Sequence, residues 1–259
     1  MQQKPASKQI QENVQNAVEG VKQEVASARR PWYLTIKWGF ILIGVYAIQL
    51  TLFGLLAFWV HIHPILPVDI AITREFQENQ APWLRYTMIV VSYLGSNFPI
   101  FVLLIILTAV VFWFIRLRLE ALMVVGLSAV SAALNALLKY LVARPRPTAS
   151  VVEIIQAASG QSFPSGHVMS YLAYFGLLFS LGIILFRGKH WWRMVLLIIP
   201  ALFVVLVGPS RIYLGDHWAS DVLGAYLIGG VLLGLTLYLY LYLKQKGVLS
   251  TKGPGEKPT

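Results

Sequence analysis

The chain has 259 residues, of which 57% are hydrophobic and only 12% are charged, so it is far more apolar than an ordinary soluble domain. The absence of cysteine excludes disulfide bonds and thiolate chemistry. The formal net charge of +10 comes from basic residues spread over loops and tails, which does not indicate a nucleic-acid-binding surface. We therefore expect an all-α, polytopic membrane protein without a nucleic-acid partner.

The first 30 residues are polar, but they carry a narrow apolar stripe. Its members recur every three or four residues, at Ile10, Val14, Val18, Val21 and Val25. This spacing predicts an amphipathic helix over residues 1–30 that lies in solvent or on a membrane surface. A coil that binds a partner protein is the alternative interpretation.

Six apolar segments follow, and crossing a bilayer takes roughly 20 helical residues. They cover residues 36–60, 97–115, 119–138, 168–186, 194–209 and 218–243. We predict a six-transmembrane-helix bundle within a domain of residues 31–245. The stretch "APWLRYTMIVVSYLG", residues 81–95, is predicted to be an interfacial helix before the second span. The tail over residues 246–259 is rich in Lys, Gly and Pro, which is typical of disorder.

The distribution of basic residues predicts the orientation of the spans. With the N-terminus in the cytoplasm, 15 of the 21 Lys and Arg residues lie in cytoplasmic segments and 6 lie outside. Because cytoplasmic segments of membrane proteins carry an excess of Lys and Arg, both termini are expected in the cytoplasm.

Ionisable residues gather at the outer ends of spans three to six, in three separate stretches. These are "KYLVARPRP" (residues 139–147), "FPSGH" (163–167) and "SRIYLGDHWASD" (210–221). Each cation or histidine alone could be a snorkelling or interfacial residue. A carboxylate inside a span is harder to explain, since it costs roughly 2.5–3.5 kcal/mol near the bilayer centre. Their occurrence together on one face indicates an extracytoplasmic active site.

The third stretch contains a candidate nucleophile. His217 and Asp221 are four residues apart, so on a helix they would share a face and the carboxylate could accept a ring N–H. That arrangement leaves the other ring nitrogen of His217 free to attack. His167 begins another span and could act as a general acid.

The remaining residues of the three stretches are suited to an anion. Lys139, Arg146 and Arg211 supply positive charge, and an Arg can hold two oxygens at once. Ser165 and Gly166 would place backbone N–H groups at a helix N-terminus, a favourable position for phosphate. A zinc site is the rival interpretation, but three neighbouring cations disfavour a metal ion. We therefore predict a phosphoryl site without metal or cofactor.

The three stretches together resemble the signature of the membrane-bound type 2 phosphatidic-acid phosphatase superfamily. That signature reads K-x6-RP, PSGH and SR-x5-H-x3-D, and all three parts occur here in the family's order. The resemblance covers about residues 36–243 and leaves out the first 30. Within the family, compact six-span members resemble phosphatidylglycerophosphatase B and undecaprenyl-diphosphate phosphatases.

The resemblance implies a metal-independent phosphatase that works through a phosphohistidine. His217 would attack phosphorus, Asp221 would orient it, and His167 would protonate the leaving oxygen. The phosphoryl oxygens would be held by Lys139, Arg146, Ser165, Gly166 and Arg211.

Two charged residues lie outside the family pattern. We expect Arg144 to be solvated, with an extension of the cationic rim as the alternative. Asp216 is expected to cap the sixth span.

The substrate implied is a lipid phosphate presented by the outer leaflet. We favour undecaprenyl diphosphate, converted to undecaprenyl phosphate in recycling of the cell-wall lipid carrier. Phosphatidylglycerophosphate and phosphatidic acid remain open as alternatives, as does broad specificity. A non-catalytic lipid or anion transporter is a hypothesis of another class, disfavoured because the spans carry almost no ionisable groups in their interiors. The oligomeric state is not predicted.

Overall fold

The computed structural model describes residues 36–186 and 191–249, and within these ranges all regular structure is helical. The predicted all-α class is confirmed. The predicted helix over residues 1–30 lies outside the described residues, and so do residues 250–259 of the predicted tail.

Eight helices make up the described chain. They are α1 (Ile36–Ile62), α2 (Pro67–Glu78), α3 (Pro82–Ser96), α4 (Phe98–Phe114), α5 (Arg118–Val142), α6 (Gly166–Leu185), α7 (Trp191–Tyr213) and α8 (Ala219–Gln245). Helices α2, α3 and α4 each have a proline in the first turn, where a missing N–H leaves no intrahelical bond unmade. Helix α6 includes a π-helical segment at Leu172–Gly176.

Five of the described helices, α1 and α5 to α8, are long and apolar enough to cross a membrane. Helix α4 has 17 residues and meets the same test only together with α3, from which it is bent by 72°. If this bent pair is one span, the total is six. The chain is therefore a multi-pass membrane protein with helices at the predicted places.

Contacts divide the chain into two units, Met1–Ala47 and Ile48–Thr259. The described part of the first unit is the beginning of α1. The second unit contains the remaining helices and all residues of the predicted site.

Helix α6 is the centre of the second unit. Its apolar window is 61% buried, whereas the windows of the other four spanning helices are 6–33% buried. Aromatic rings of two other helices pack against it. Phe101 of α4 stacks on Tyr171 with the ring centroids 5.8 Å apart, and Phe203 of α7 stacks on Phe175 at 4.5 Å. The N-terminus of α6 is therefore surrounded by the other helices.

The helix ends gather at two opposite ends of this unit. At one end, His61 of α1 contacts the carbonyl of Val142 at the end of α5, with Nδ1 and O 3.0 Å apart. At the other end, Glu120 in the first turn of α5 accepts from Lys244 in the last turn of α8, at 2.9 Å. The three signature stretches all lie at the first end, as the sequence predicts.

Candidate active site

His217 lies in the loop of residues 214–218 that joins α7 to α8. Its Nδ1 is 3.4 Å from Oδ2 of Asp221, which is the third residue of α8. The contact predicted from the spacing is present, although His217 itself lies just before the helix, as the predicted span of residues 218–243 implies. Helix α8 begins only at Ala219, with Trp218 as its N-cap. The loop lets the ring of His217, only 1% exposed, turn towards the cationic stretch.

The carboxylate of Asp221 is fully buried and accepts hydrogen bonds on both oxygens. Oδ2 accepts from the backbone N–H of Trp218 at 2.9 Å and from the hydroxyl of Ser162. Oδ1 accepts from Nη1 of Arg144 at 2.6 Å. Because donors engage both oxygens, the carboxylate cannot rotate freely, and one oxygen stays directed at His217.

Arg144 is neither solvated nor part of a cationic rim, so both expectations for this residue are wrong. Its side chain is buried between two carboxylates, those of Asp69 and Asp221, with N–O distances of 2.7 and 2.6 Å. Nε donates to the carbonyl of Pro64 at 2.8 Å. A guanidinium can be buried when several acceptors surround it, and here they come from three parts of the chain.

Arg146, two residues further on, contacts the other side of the His217 ring. Its Nη1 lies 3.2 Å from Nε2 of His217 and donates to the carbonyl of Asp216 at 2.8 Å. Nε donates to the carbonyls of Ser159 and Gly160. Since a guanidinium only donates, Nε2 of His217 must accept, and the ring proton is assigned to Nδ1, facing Asp221.

The electrostatic surroundings keep His217 neutral. Burial lowers the pKa of His217 well below its usual value, and the positive charges of Arg146, Arg211 and Lys139 lower it further. Burial also lowers the pKa of Arg146, while the negative charge of Asp221 opposes this effect. A neutral imidazole with an unprotonated Nε2 is the form that a nucleophile requires.

Lys139 and Gly166 lie where α5 meets the N-terminus of α6. The Lys139 ammonium donates to the carbonyl of Gln161. A Cβ at Gly166 would lie 3.1 Å from Oδ1 of Asn135 and 4.0 Å from Cε of Lys139. The glycine therefore permits the close approach of α5 to the start of α6. Asn135 also donates to the carbonyl of Pro164 at 3.1 Å, which ties the PSGH turn to α5.

Among the described residues, the buried donors at this end that have no hydrogen-bond partner include the Ser165 hydroxyl and Nε of Arg211. The backbone N–H of Ser165 donates to the carbonyl of Asp221 at 3.2 Å, contrary to the expectation that it is free for an anion. Buried polar groups are rarely left unpaired in native structures. The Ser165 hydroxyl and Nε of Arg211 are therefore suited to donate hydrogen bonds to the oxygens of a ligand.

Asp216 pairs with Arg211 and does not cap the sixth span, so that expectation is wrong. The Asp216 carboxylate is buried against Nη2 of Arg211, and Nη1 of Arg211 donates to the Ser92 hydroxyl. The physical reason is that the buried guanidinium needs a counter-charge, and α8 begins too late for Asp216 to reach its first turn.

His167, the second residue of α6, contacts α3. Its Nε2 lies 3.0 Å from the hydroxyl of Ser96, which also accepts from the Gln156 amide at 2.8 Å. A Cβ at Gly95 would lie only 2.3 Å from Cδ2 of His167, so α3 can approach the ring only because residue 95 is glycine.

Helix α3 therefore contributes residues that the sequence interpretation missed. Ser92, Gly95 and Ser96 lie three and four residues apart, which places small residues on one face of the helix. That spacing was the available signal, but the segment was interpreted only as an interfacial helix. Ser162 and Asp69 were also missed, because no local pattern marks their long-range contacts with α8.

The structure brings the predicted site residues together at one end of the helices. Two histidines are present, one held against a carboxylate and the other against a serine. The cations Lys139, Arg146 and Arg211 lie close enough to His217 to act on its charge. This arrangement can neutralise a tetrahedral anion while one imidazole attacks its central atom and another transfers a proton.

Comparisons with known proteins identify phosphatases as relatives of this chain. Residues 120–245 match the model of the PAP2 superfamily. Phosphatidylglycerophosphatase B from Bacillus subtilis is 33% identical over 179 residues, which cover 68% of this chain and 85% of the relative. An undecaprenyl-diphosphatase from Sulfolobus acidocaldarius is 28% identical over 191 residues, 71% of this chain and 85% of the relative.

A solved structure is similar over most of its length. It is the crystal structure of a transmembrane PAP2-type phosphatidylglycerolphosphate phosphatase from Bacillus subtilis, with a TM-score of 0.64 and 26% identity. The match covers 80% of this chain and 98% of that one. The signature residues are assembled in one site, and the match to the phosphatase relatives covers most of their length. The chain therefore belongs to the PAP2 superfamily and is an integral-membrane phosphatase that hydrolyses phosphate esters.

Proposed function

We propose that the protein removes a phosphoryl group from a membrane lipid, with Nε2 of His217 as the nucleophile. One observation carries this proposal. His217 is a buried, neutral imidazole that has Asp221 on its Nδ1 side and the Arg146 guanidinium 3.2 Å from its Nε2. A phosphoryl group held by Arg146 therefore lies in front of the attacking nitrogen.

In the first step, Nε2 of His217 forms a bond to phosphorus while the bond from phosphorus to the leaving oxygen breaks. His167 donates a proton to that oxygen, and the lipid leaves as an alcohol or, from a diphosphate, as a monophosphate. The charge on the phosphoryl oxygens is neutralised by Lys139, Arg146 and Arg211, with the Ser165 hydroxyl as a further donor. Positioning and charge neutralisation supply most of the catalysis in phosphoryl transfer.

In the second step, water attacks the phosphohistidine and the P–N bond breaks. His167, which gave up its proton in the first step, takes one from the water, and Nε2 of His217 recovers its lone pair. Asp221 stabilises the positive charge that the ring carries while it is phosphorylated. Inorganic phosphate then leaves, and the free enzyme is regenerated.

We propose undecaprenyl diphosphate as the substrate, consistent with the relative that is named an undecaprenyl-diphosphatase. Phosphatidylglycerophosphate is the second candidate, favoured by the 33% identical relative and by the solved structure. Both candidates present the same phosphoryl group to the same donors. The transporter hypothesis is not retained, because the relatives that cover most of the chain are phosphatases.

We further propose that the site faces away from the cytoplasm, towards the outer leaflet. The support is the charge at the opposite helix ends, where Arg116, Arg118, Arg193, Lys244 and Lys246 lie. An excess of basic residues marks the cytoplasmic side of membrane proteins. Both termini would then be cytoplasmic.

Phosphate release by the purified protein in detergent tests this function. The substrates are undecaprenyl diphosphate, phosphatidylglycerophosphate and phosphatidic acid at equal surface concentration, with EDTA present. We expect His217→Ala to abolish release and to prevent the labelling of the protein by a radioactive terminal phosphate. Undiminished turnover by His217→Ala would reject the proposed nucleophile.

A further inference from the structure

We propose that Asp69 and Arg144 form a positioning pair that holds Asp221 and, through it, the ring of His217. Neither residue belongs to the signature of the family. The inference rests on the proposed function, because it takes His217 as the nucleophile.

Arg144 joins the two carboxylates directly. Nη1 lies 2.6 Å from Oδ1 of Asp221, and Nη2 lies 2.7 Å from Oδ2 of Asp69. Both carboxylates and the guanidinium are at most 1% exposed, so the pairs are not weakened by solvent. Arg144 contacts the oxygen of Asp221 that points away from His217, and thus it restrains the carboxylate from the far side.

Asp69, in the first turn of α2, is fixed just as firmly to the start of α8. Its Oδ1 accepts the backbone N–H of Ser220 at 2.9 Å, and its Oδ2 accepts the Ser220 hydroxyl at 2.6 Å. The same hydroxyl accepts from Nη1 of Arg144 at 2.7 Å. Asp69 therefore holds both Arg144 and the helical turn that carries Asp221.

The charges explain why two carboxylates are needed. Arg144 with Asp221 alone would be a neutral pair, and the carboxylate would have little negative charge left to offer the imidazole. With Asp69 included, the three groups carry a net charge of −1. That charge faces the ring at the stage when phosphorylation makes it positive. Asp69 thus offsets Arg144 and leaves the charge of Asp221 available to His217.

The pair is expected to act on turnover and not on phosphate binding, because neither residue contacts the side of His217 where Arg146 lies. Partners that orient a functional group through another side chain typically change activity about 10- to 100-fold when they are removed. For Asp69→Asn, which preserves size and a hydrogen-bonding oxygen, we expect kcat to fall by about that range. The inhibition constant for inorganic phosphate should stay within about twofold of the wild-type value, which is the usual scatter for independent sites.

Arg144→Lys is the second variant, for use if Asp69→Asn does not fold. An ammonium keeps the charge but cannot bridge both carboxylates and the Pro64 carbonyl in one plane, so kcat should also fall while phosphate inhibition is kept. Glu120→Gln is the matched control. Glu120 is likewise a buried, paired carboxylate, bonded to Tyr240 and Lys244 at the other end of the helices. It should lower the melting temperature and leave kcat unchanged.

A double-mutant cycle with Asp221→Asn separates positioning from a structural role. If Asp69 acts through Asp221, then Asp69→Asn should change the kcat of the Asp221→Asn protein by no more than about twofold. The same loss in both backgrounds, or a loss that appears as weaker phosphate inhibition, would overturn the inference. So would a normal kcat in the folded Asp69→Asn protein. If instead His217→Ala kept full activity, the proposed function itself would fail.

Discussion

Gly95 is the position where a single methyl group should displace the proposed acid catalyst while every signature residue keeps its identity. In Gly95→Ala the new Cβ would lie 2.3 Å from Cδ2 of His167, whereas ordinary contacts begin at 3.4 Å. The ring must therefore retreat by about 1.1 Å. A misplacement of about 1 Å can cost about 100-fold in rate, or about 2.7 kcal/mol in the activation barrier. We expect a loss of that size in kcat.

The size of this loss in kcat should depend on the leaving group of the substrate. An alkyl oxygen needs a proton from His167, while a p-nitrophenolate leaves readily without one. Turnover of the lipid phosphate should fall about 100-fold in Gly95→Ala, and turnover of p-nitrophenyl phosphate should fall much less. Gly126→Ala is the matched control, because a Cβ at Gly126 meets nothing within 4 Å. Its kinetics should equal those of the wild type.

The His167→Ala background provides the decisive comparison. Without the imidazole there is no ring for the new methyl group to displace, so Gly95→Ala should add little to the effect of His167→Ala. The reasoning would be refuted by equal losses for both leaving groups. A full 100-fold further loss in the His167→Ala protein would refute it as well.

Three further outcomes are expected. Burial and nearby cations lower the pKa of His217 well below 6.5. In the pH profile of kcat/KM, the acid limb that reports protonation of this imidazole should therefore lie below pH 6.5. Arg146→Gln removes one of those cations and should move the limb to higher pH, and a limb that stays in place would contradict the assignment. Arg211→Ala should raise KM and lower kcat, since it removes one of the three cations that neutralise phosphate and leaves the buried Asp216 without its partner; normal kinetics would remove Arg211 from the phosphate site. Orthovanadate should inhibit the wild type and lose potency in His217→Ala, which a binding assay can check.

The helical class and the gathering of the signature stretches could be predicted from the sequence. Apolar segments near 20 residues identify the spans, and consecutive spans alternate in direction, so every second connection lies on the same side of the membrane. For this reason the sequence alone predicts Lys139, His167 and His217 at the same end of the helices. Only the local geometry differs, since His217 lies in a loop and not on α8.

The partners of the signature residues could not be predicted in the same way. Arg144 lies two residues from Arg146, and nothing in "KYLVARPRP" tells which guanidinium is buried. The difference arises because Asp69, 75 residues earlier in the chain, provides the acceptor for one of them. The contact of Ser96 with His167 is equally non-local, and it depends on the approach that Gly95 permits. Such pairings depend on how helices pack, which a single sequence does not reveal.

Helix α3, which meets α4 at a bend of 72°, borders the site with one face and exposes Trp83, Tyr86 and Tyr93 on another. It precedes residues 120–245, which match the model of the family, and so does α2 with Asp69. Two enzymes with identical signatures can therefore treat the same lipid differently if these early helices differ. Exchanging α2 and α3 between relatives would replace residues that surround both histidines while leaving every signature residue unchanged.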